Sequence, residues 1–161
     1  FGRYDVTIVG KSQKRNMSRD LIQYINSSIL VVNQYDDENF NRVLLPIDNF
    51  HGSMKAAKYG IRVALSYNVG IDILNVLDNN ESKVEDSSNI SKIIKFIRRS
   101  GVDYKYIREQ GDTVKKIIEK SDNDKIIVMK ASNMSPIKRY LQGSKPLSVM
   151  NSCNVPILIV K

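Results

Sequence analysis

The sequence predicts an α/β fold built on a parallel sheet that helices cover on both faces. Short apolar runs of strand length alternate along the chain with stretches whose apolar residues recur at helical spacing. Parallel neighbours need a helical crossover between them, so this alternation favours a parallel sheet. We therefore expect an open, three-layer α/β/α arrangement of five parallel strands, preceded by a partial β-α-β unit.

The first of the five strands is predicted over Arg42 to Ile47, with Asp48 directly after its carboxyl end. The helix that follows is expected to begin at a capping Ser53 and to stop at Gly70. Its apolar residues recur at intervals of three and four, so they would form one buried face. The second strand is predicted over residues 71–77 and is followed by a polar loop.

The remaining three strands are predicted over residues 102–108, 125–129 and 156–160. The helix before the first of them carries an isoleucine stripe at helical spacing and should end at Gly101. A third helix is expected to start from a capping Asp112. A fourth should begin at Ser144, because the nearby Pro146 suits the first turn of a helix.

Residues 1–33 form a shortened copy of the end of the chain. The strand that begins at Asp5 matches the strand that begins at Asp124, so Lys11 would correspond to Lys130. Residues 18–26 match the helix from Ser144, and residues 28–32 match residues 156–160. We divide the chain into a C-terminal fragment of a first unit (residues 1–33), a linker (residues 34–41) and a complete domain (residues 42–161).

The formal net charge is +8, and residues 1–41 carry equal numbers of basic and acidic side chains, so the whole excess arises after them. Most of these charges fall on outer faces of predicted helices, which favours a solvated surface over a nucleic-acid site. No apolar run is long enough to span a bilayer, and no signal peptide opens the chain. We expect a cytoplasmic protein that does not insert into membranes.

Catalytic and metal sites are not expected. His51 is the only histidine, so neither a histidine cluster nor a Ser-His-Asp triad can form. Cys153 is the single cysteine and is interpreted as a small core residue. Two interpretations of Asp48 stay open: it could coordinate Mg²⁺ beside a nucleotide, or it could cap the helix region around Ser53.

The expected helix start at Gly143 and Ser144 is a candidate anion site. Unpaired backbone N–H groups and the helix dipole both favour negative charge at such a position. Basic residues lie close to it in the sequence, namely Lys130, Lys138, Arg139 and Lys145. We expect a generic preference for phosphate or sulfate there.

Six segments in a fixed order make residues 42–161 resemble a complete universal stress protein domain. They are Val43–Asp48, Ala56–Ala64, Ile73–Val76, Ile126–Met129, Lys138–Ser144 and Val155–Val160. The resemblance implies a Rossmann-like fold of the adenine nucleotide alpha hydrolase-like type. It also implies that residues 1–33 are the tail of a preceding domain in a tandem arrangement.

In nucleotide-binding members of this family, an aspartate after the first strand and the residue that ends the second strand hold adenosine. A loop with the motif G-x-x-G-x9-G-[S/T] holds the phosphates. The resemblance implies a site for ATP or another adenine nucleotide with Mg²⁺, formed by Pro46, Asp48, Val76, Met129, Lys130, Asn133, Gly143, Ser144 and Lys145. Lys130 and Asn133 stand where the motif has its two loop glycines, so we expect a degenerate site.

The resemblance implies a non-enzymatic signalling or regulatory module that acts through domain pairing and through sensing of a ligand or a protein partner. Ser28–Val32 is expected to pair with Ile157–Val160, in a pseudo-dimer or a homodimer, because the last strand would otherwise expose an unpaired edge. Two alternatives stay open. One is an ATP-binding stress protein with weak hydrolysis, and the other is a cytosolic regulatory domain of a membrane transporter.

Overall fold

The computed structural model describes residues 5–11, 25–33, 39–48, 52–77, 88–122, 124–131 and 145–161. The strands within them are β1 (Val6–Gly10), β2 (Ser28–Val32), β3 (Arg42–Ile47), β4 (Gly70–Leu77), β5 (Tyr104–Gln110), β6 (Lys125–Lys130) and β7 (Ile157–Val160). The helices are α1 (Gly52–Tyr67), α2 (Ser88–Arg99), α3 (Thr113–Lys120) and α4 (Lys145–Ser152). In this part of the chain, no helix is long and apolar enough to cross a membrane.

The strands form one sheet in the order β1-β2-β7-β6-β3-β4-β5. Strands β7, β6, β3, β4 and β5 run parallel to one another, which confirms the predicted five-stranded parallel sheet. The partial unit of β1 and β2 joins the same sheet, and β2 runs antiparallel to β7. The whole sheet is therefore mixed and has two strands more than the complete domain alone supplies.

Apolar side chains are buried in two layers, one on each face of the sheet. Helices α1 and α2 pack on one face, and their core includes Leu45, Ile73 and Ile93. Helices α3 and α4 pack on the other face, and their core includes Leu44 and Ile117. Successive residues of each strand enter opposite layers because side chains alternate along a strand. The predicted α/β/α layering is confirmed.

Both ends of α1 differ from the sequence prediction. The helix begins at Gly52, which places Ser53 inside its first turn instead of at the cap. It ends before Asn68, whose φ of 53° lies in the left-handed region that closes a helix. The predicted stop, Gly70, is instead the first residue of β4. A β-carbon at Gly70 would lie 2.6 Å from the Arg42 guanidinium, so a larger residue there would require the Arg42 side chain to shift.

The predicted boundaries between α2 and α3 are confirmed with one shift. Helix α2 stops before Gly101, whose φ of 76° carries no steric penalty for glycine. Asp112 caps α3, since its Oδ1 accepts a hydrogen bond of 2.8 Å from the backbone N–H of Lys115. Strand β5 begins at Tyr104, later than predicted, because its pairing with β4 starts only there.

The end of the chain follows the predicted order of strand, helix and strand. Strand β6 extends to Lys130, one residue further than predicted, and β7 begins at Ile157. Helix α4 begins at Lys145 and has Pro146 in its first turn, as the sequence predicts. Ser144 and the helix expected over residues 18–26 lie outside the described residues.

Strand β2 pairs with β7, as the sequence predicts for residues 28–32 and 157–160. The register joins Ile29 to Ile159, Leu30 to Leu158 and Val31 to Ile157. Residues 29–31 are also the copies of residues 157–159, so a two-fold axis through the central leucine pair exchanges the other two pairs. This self-complementary register is the kind that joins the subunits of a symmetric dimer.

The first copy is offset by one residue from the predicted alignment. Two equivalent backbone hydrogen bonds of 2.7 Å reveal the offset, from the N–H of Lys11 to Val32 and from the N–H of Ala131 to Val160. Lys11 is therefore the counterpart of Ala131, and Gly10 is the counterpart of Lys130. The predicted equivalence of Lys11 and Lys130 is wrong, because two registers of an aliphatic strand match almost equally well at the level of residue type.

A carboxylate is buried between two cations at the edge where the parallel strands begin. The Asp72 side chain, which is 6% exposed, lies 2.7 Å from Arg42 Nε and 3.4 Å from Lys125 Nζ. Arg42 also pairs with Asp103, and Lys125 also pairs with Asp122. Burial disfavours both cations, but the carboxylates outweigh burial and raise the pKa of Arg42 and of Lys125. This network ties β3, β4 and β6 together at the edge opposite Asp48.

Candidate functional site

The candidate site lies at the edge where the carboxyl ends of the parallel strands meet, which is where open α/β sheets bind ligands. Strands β3 and β6 are neighbours at that edge. Strand β3 runs into Asp48, and β6 ends at Lys130. Their pairing starts at Arg42 and Lys125, so the two strands advance side by side to the same edge. Two residues that are far apart in the sequence are thereby brought together.

Asp48 and Lys130 form an ion pair. Lys130 Nζ lies 2.9 Å from Asp48 Oδ2, a distance typical of a charge-assisted hydrogen bond. The Lys130 side chain is 18% exposed and the Asp48 side chain is 44% exposed, so the pair lies at the rim of the sheet. Water screens the attraction on the Asp48 side, and a pair of this kind contributes about 0–1 kcal/mol to stability.

The other carboxylate oxygen of Asp48 is held by the first turn of α1. Ser53 Oγ donates to Asp48 Oδ1 at 2.7 Å and accepts the backbone N–H of Asp48 at 3.1 Å. Ser53 is buried, so packing fixes the position of its hydroxyl. The positive end of the α1 dipole also favours a carboxylate nearby. These contacts support the interpretation of Asp48 as a carboxylate that serves the start of this helix.

Lys130 is an ordinary strand residue. It is the last residue of β6 and pairs with Val160 of β7. Asn68 is the one non-glycine residue with positive φ in the part of the chain that the structure describes. Lys130 therefore avoids the left-handed conformation that would be costly for a side chain at a glycine position. Its extended backbone sends the side chain across the sheet edge toward β3.

Three further candidates lie on the strands beside this pair. Pro46 is two residues before Asp48 in β3 and is half-buried. Val76 is also half-buried, near the end of β4, which neighbours β3. Met129 precedes Lys130, but its side chain is buried in the layer beneath α3 and α4. Met129 therefore supports the site by packing from the core side.

Lys145 is the first residue of α4 and is directed to a neighbouring helix. Its Nζ donates to Thr113 Oγ1, at the start of α3, over 3.1 Å. This contact is exposed to solvent. The remaining candidates lie outside the described residues, namely Asn133, Gly143 and Ser144, together with Lys138, Arg139 and His51.

The ion pair determines what this edge can do chemically. A ligand hydroxyl that bound Asp48 would compete with Lys130 for Oδ2, because Ser53 already engages Oδ1. A phosphate that bound Lys130 would compete with Asp48 in turn. The pair also neutralises the cation at the end of β6, which weakens its attraction for anions. The described part of the site is therefore satisfied by the chain itself.

The contact from Ser53 to Asp48 corresponds to one of the two interpretations of Asp48 that the sequence leaves open. Two other features of the edges are not predicted from the sequence. The pairing of Lys130 with Asp48 requires the strand order, which local patterns do not give. The buried Asp72 has a usable signal, because a single carboxylate in a mostly apolar strand needs a partner in the folded protein.

The universal stress protein family model matches residues 39–161. No curated protein matches the chain.

Among solved structures, a universal stress protein in complex with cAMP has a TM-score of 0.64 at 17% identity, covering 77% of this chain and 99% of that chain. A universal stress protein from Archaeoglobus fulgidus in complex with dAMP has a TM-score of 0.57 at 17% identity. This match covers 76% of this chain and 98% of that chain.

A longer solved protein matches nearly the whole of this chain. It is a universal stress protein from Archaeoglobus fulgidus DSM 4304, with a TM-score of 0.73 at 18% identity. The match covers 98% of this chain but 61% of that chain, so this chain spans less than two thirds of the longer protein. Identities of this size show a shared fold. Because the family model covers well over half of its length, the chain belongs to the universal stress protein family.

Proposed function

We propose that this chain is a non-enzymatic, cytoplasmic regulatory module whose nucleotide site is closed by its own side chains. The observation that carries the proposal is the 2.9 Å contact between Lys130 and Asp48. The family resemblance implies an adenosine-binding role for the aspartate and a phosphate-loop glycine at the position of Lys130. A single lysine therefore acts on both halves of the expected site.

The first effect of Lys130 is steric. Glycine allows backbone N–H groups to approach phosphate without a β-carbon in the way. Lys130 continues β6 as an extended residue and adds a long side chain at the edge of the sheet. A phosphate would meet that side chain where relatives with the glycine motif offer bare backbone.

The second effect is electrostatic. Adenosine hydroxyls would have to displace an ammonium group from Asp48 Oδ2, and the displaced cation would need another partner. The displacement of the ammonium group and the loss of its partner both make the free energy of ATP binding less favourable. We expect a dissociation constant for ATP with Mg²⁺ no tighter than about 10 µM, which corresponds to about −7 kcal/mol.

The second part of the proposal is that the module acts through domain pairing. The antiparallel seam between β2 and β7 buries Ile29 and Ile157 almost completely. Its two-fold register supports the hypothesis that residues 1–33 replace a second domain in a pseudo-dimer. A ligand or a protein partner that altered this seam would change how residues 1–33 pack on residues 42–161.

Titration calorimetry with ATP and Mg²⁺ tests the closed site. The variant with both Lys130→Gly and Asn133→Gly restores the two motif glycines and should bind ATP at least about tenfold more tightly than the parent chain. Its affinity for inorganic phosphate should change less, because phosphate does not need Asp48. Lys105→Gly is the control, since it also replaces a strand lysine by glycine, at an exposed position of β5 away from the site.

Submicromolar binding of ATP by the parent chain would contradict the proposal. If the double variant binds no ATP, the region around Asp48 and Val76 is closed as well. The module would then act by protein interaction alone.

A second candidate function is adenine-nucleotide binding with weak hydrolysis. It is favoured by the two structural neighbours that were solved with cAMP and dAMP. Release of phosphate from ATP above the buffer rate, lost in an Asp48→Asn variant, would support it. The same rate in both proteins would point to a contaminating activity.

A further inference from the structure

Among the residues that the structure describes, one face of the sheet is covered by helices whose exposed charges are all positive. Twelve residues of α1 and α2 are exposed among those whose burial the structure describes. Seven of them are basic, three are large apolar or aromatic residues and two are serines. The basic ones are Lys55, Lys58, Arg62, Lys92, Lys95, Arg98 and Arg99. We call these twelve exposed residues the basic face.

The basic face has no carboxylates of its own. Neither α1 nor α2 contains Asp or Glu, whereas α3 carries Glu119 among its lysines. The ion pairs found among the described residues all lie elsewhere, at the two ends of the strands and around α3. Lys55 donates to the backbone carbonyl of Lys161, and the Arg62 guanidinium lies over the Tyr59 ring, 5.6 Å from its centroid. Apart from Lys55, the six other basic residues, Arg62 included, keep a positive charge that no carboxylate of the described residues pairs with. A surface that only needed solubility would mix both signs of charge.

The two helices present their cations in matching rows. Lys58 and Arg62 are four residues apart on α1, and Lys95 and Arg99 are four residues apart on α2. Both helices follow parallel strands and lie side by side on the same layer, so they point in the same direction. Packed helices are separated by about 8–10 Å, so both rows lie on neighbouring helices of one layer.

Apolar side chains accompany the cations at the C-terminal ends of both helices. Leu65 is 59% exposed and Tyr67 is 58% exposed at the end of α1, and Phe96 is 37% exposed on α2. The Tyr67 ring packs on Phe40 with centroids 4.5 Å apart, so it is held at the surface. A surface that combines exposed apolar groups with lysines and arginines can contact a membrane interface, where apolar groups reach the acyl chains and cations meet the headgroups.

We propose that the basic face docks on an anionic lipid bilayer. Acidic headgroups attract the six cations, while Leu65 and Phe96 enter the boundary between headgroups and acyl chains. A bilayer suits this face better than nucleic acid does, because the exposed Leu65 and Phe96 can be buried among acyl chains, whereas contacts to a phosphate backbone would leave both without an apolar partner. The docking is peripheral and is independent of the nucleotide site on the carboxyl edge.

Flotation of the chain with lipid vesicles tests this proposal. The chain should bind phosphatidylcholine vesicles that contain phosphatidylserine and should not bind vesicles of phosphatidylcholine alone. High salt should release it, because surface charges are screened. A variant with Lys58→Gln and Lys95→Gln should bind the phosphatidylserine vesicles about 25-fold more weakly. Each cation near an anionic surface raises the affinity by about fivefold, and the variant lacks two of them.

A matched control removes two exposed lysines from other elements. Lys105→Gln with Lys115→Gln changes the net charge by the same amount, on β5 and α3. This control should keep most of the vesicle affinity. If both double variants lose affinity equally, only the overall charge matters and the proposal is wrong.

Two further measurements separate a bilayer from nucleic acid. Leu65→Ser should weaken vesicle binding by at least about threefold, because it removes an apolar group from the interface. A fluorescent DNA duplex should bind more weakly than the anionic vesicles do. Duplex binding that is tighter than vesicle binding, is lost in the Lys58 and Lys95 variant, and is unchanged by Leu65→Ser would overturn the proposal in favour of a nucleic-acid site.

Discussion

Lys130 Nζ and Asp48 Oδ2 lie 2.9 Å apart and join the ends of β6 and β3 at the ligand edge of the sheet. The buried Ser53 hydroxyl holds the second oxygen of the same carboxylate. The site is thus organised around a carboxylate that is already satisfied within the protein. Its behaviour toward ligands depends on how easily these two internal contacts are replaced.

Removal of the Ser53 hydroxyl should destabilise the fold. Ser53→Ala leaves both the N–H and Oδ1 of Asp48 without this partner, so the free energy of unfolding should fall by about 1–2 kcal/mol. Urea denaturation measures this change in the free energy of unfolding. Ser66→Ala is the matched control, because Ser66 is exposed in the same helix and gains the same helical propensity. Equal effects of the two changes would show that the Asp48 contact contributes nothing.

Substitution of the buried Asp72 should lower the stability of the fold far more than substitution of an exposed carboxylate in the same network. Asp72→Asn leaves Arg42 and Lys125 facing a neutral group in a 6% exposed position, so we expect a loss of about 3 kcal/mol. Asp122→Asn removes a partner of Lys125 that is 67% exposed and should change stability by less than about 1 kcal/mol. Comparable losses in chemical denaturation would contradict the buried network.

The seam between β2 and β7 should contribute to the stability of the complete domain. Ile29→Ala empties a position that is 1% exposed and should cost about 2–4 kcal/mol. Ile8→Ala makes the same change in β1 at a position that is 69% exposed, so its effect should stay within about 0.5 kcal/mol. A single cooperative transition in both variants is expected. A small effect of Ile29→Ala would show that residues 28–32 do not pack firmly on the domain.

Alkaline pH should weaken the fold through Cys153. Burial raises the pKa of its thiol above the usual 9.0, although the Ser121 hydroxyl and the Lys11 ammonium act in the opposite direction. The unfolded chain therefore loses the thiol proton first, so this stabilisation is complete below pH 9.0 and is lost as pH rises through the folded pKa. Lys125 has a raised pKa as well, and its contribution is lost above its usual 10.5.

Urea denaturation of the parent chain and of Cys153→Ala, between neutral pH and about pH 10, measures the thiol contribution. The variant should lose less stability over the alkaline part of this range. Identical slopes would show that ionisation of Cys153 is not linked to folding.

Local patterns predict most of the fold because each depends on residues close together in the chain. The isoleucine stripe of α2, the cap at Asp112 and the stop at Gly101 act within one or two helical turns. The alternation of strands and helices then leads to the parallel sheet. The boundary at Gly70 is wrong because it depends on a longer-range contact: Gly70 begins β4 and pairs with Arg42 of β3 instead of ending α1.

The candidate site is predicted in position but not in its contacts. Asp48 and Lys130 are found at the carboxyl edge because they follow apolar runs. Their ion pair depends on β3 lying beside β6, which is set by the folding of the whole chain. The one-residue offset of Lys11 has a similar origin, since backbone hydrogen bonds and not side-chain types decide the register.

The pairing of β2 with β7 affects whether a second copy of the chain can associate through β7. Strand β7 has two sides, and β6 takes one while β2 takes the other. The two-fold register at Leu30 and Leu158 means that the side taken by β2 is shaped to accept a strand like β7 itself. Residues 28–32 thus occupy the side of β7 on which a strand of a second copy could pair. Both hydrogen-bonding edges of β7 are therefore occupied within one molecule. A second molecule would have to displace residues 28–32 to pair with β7.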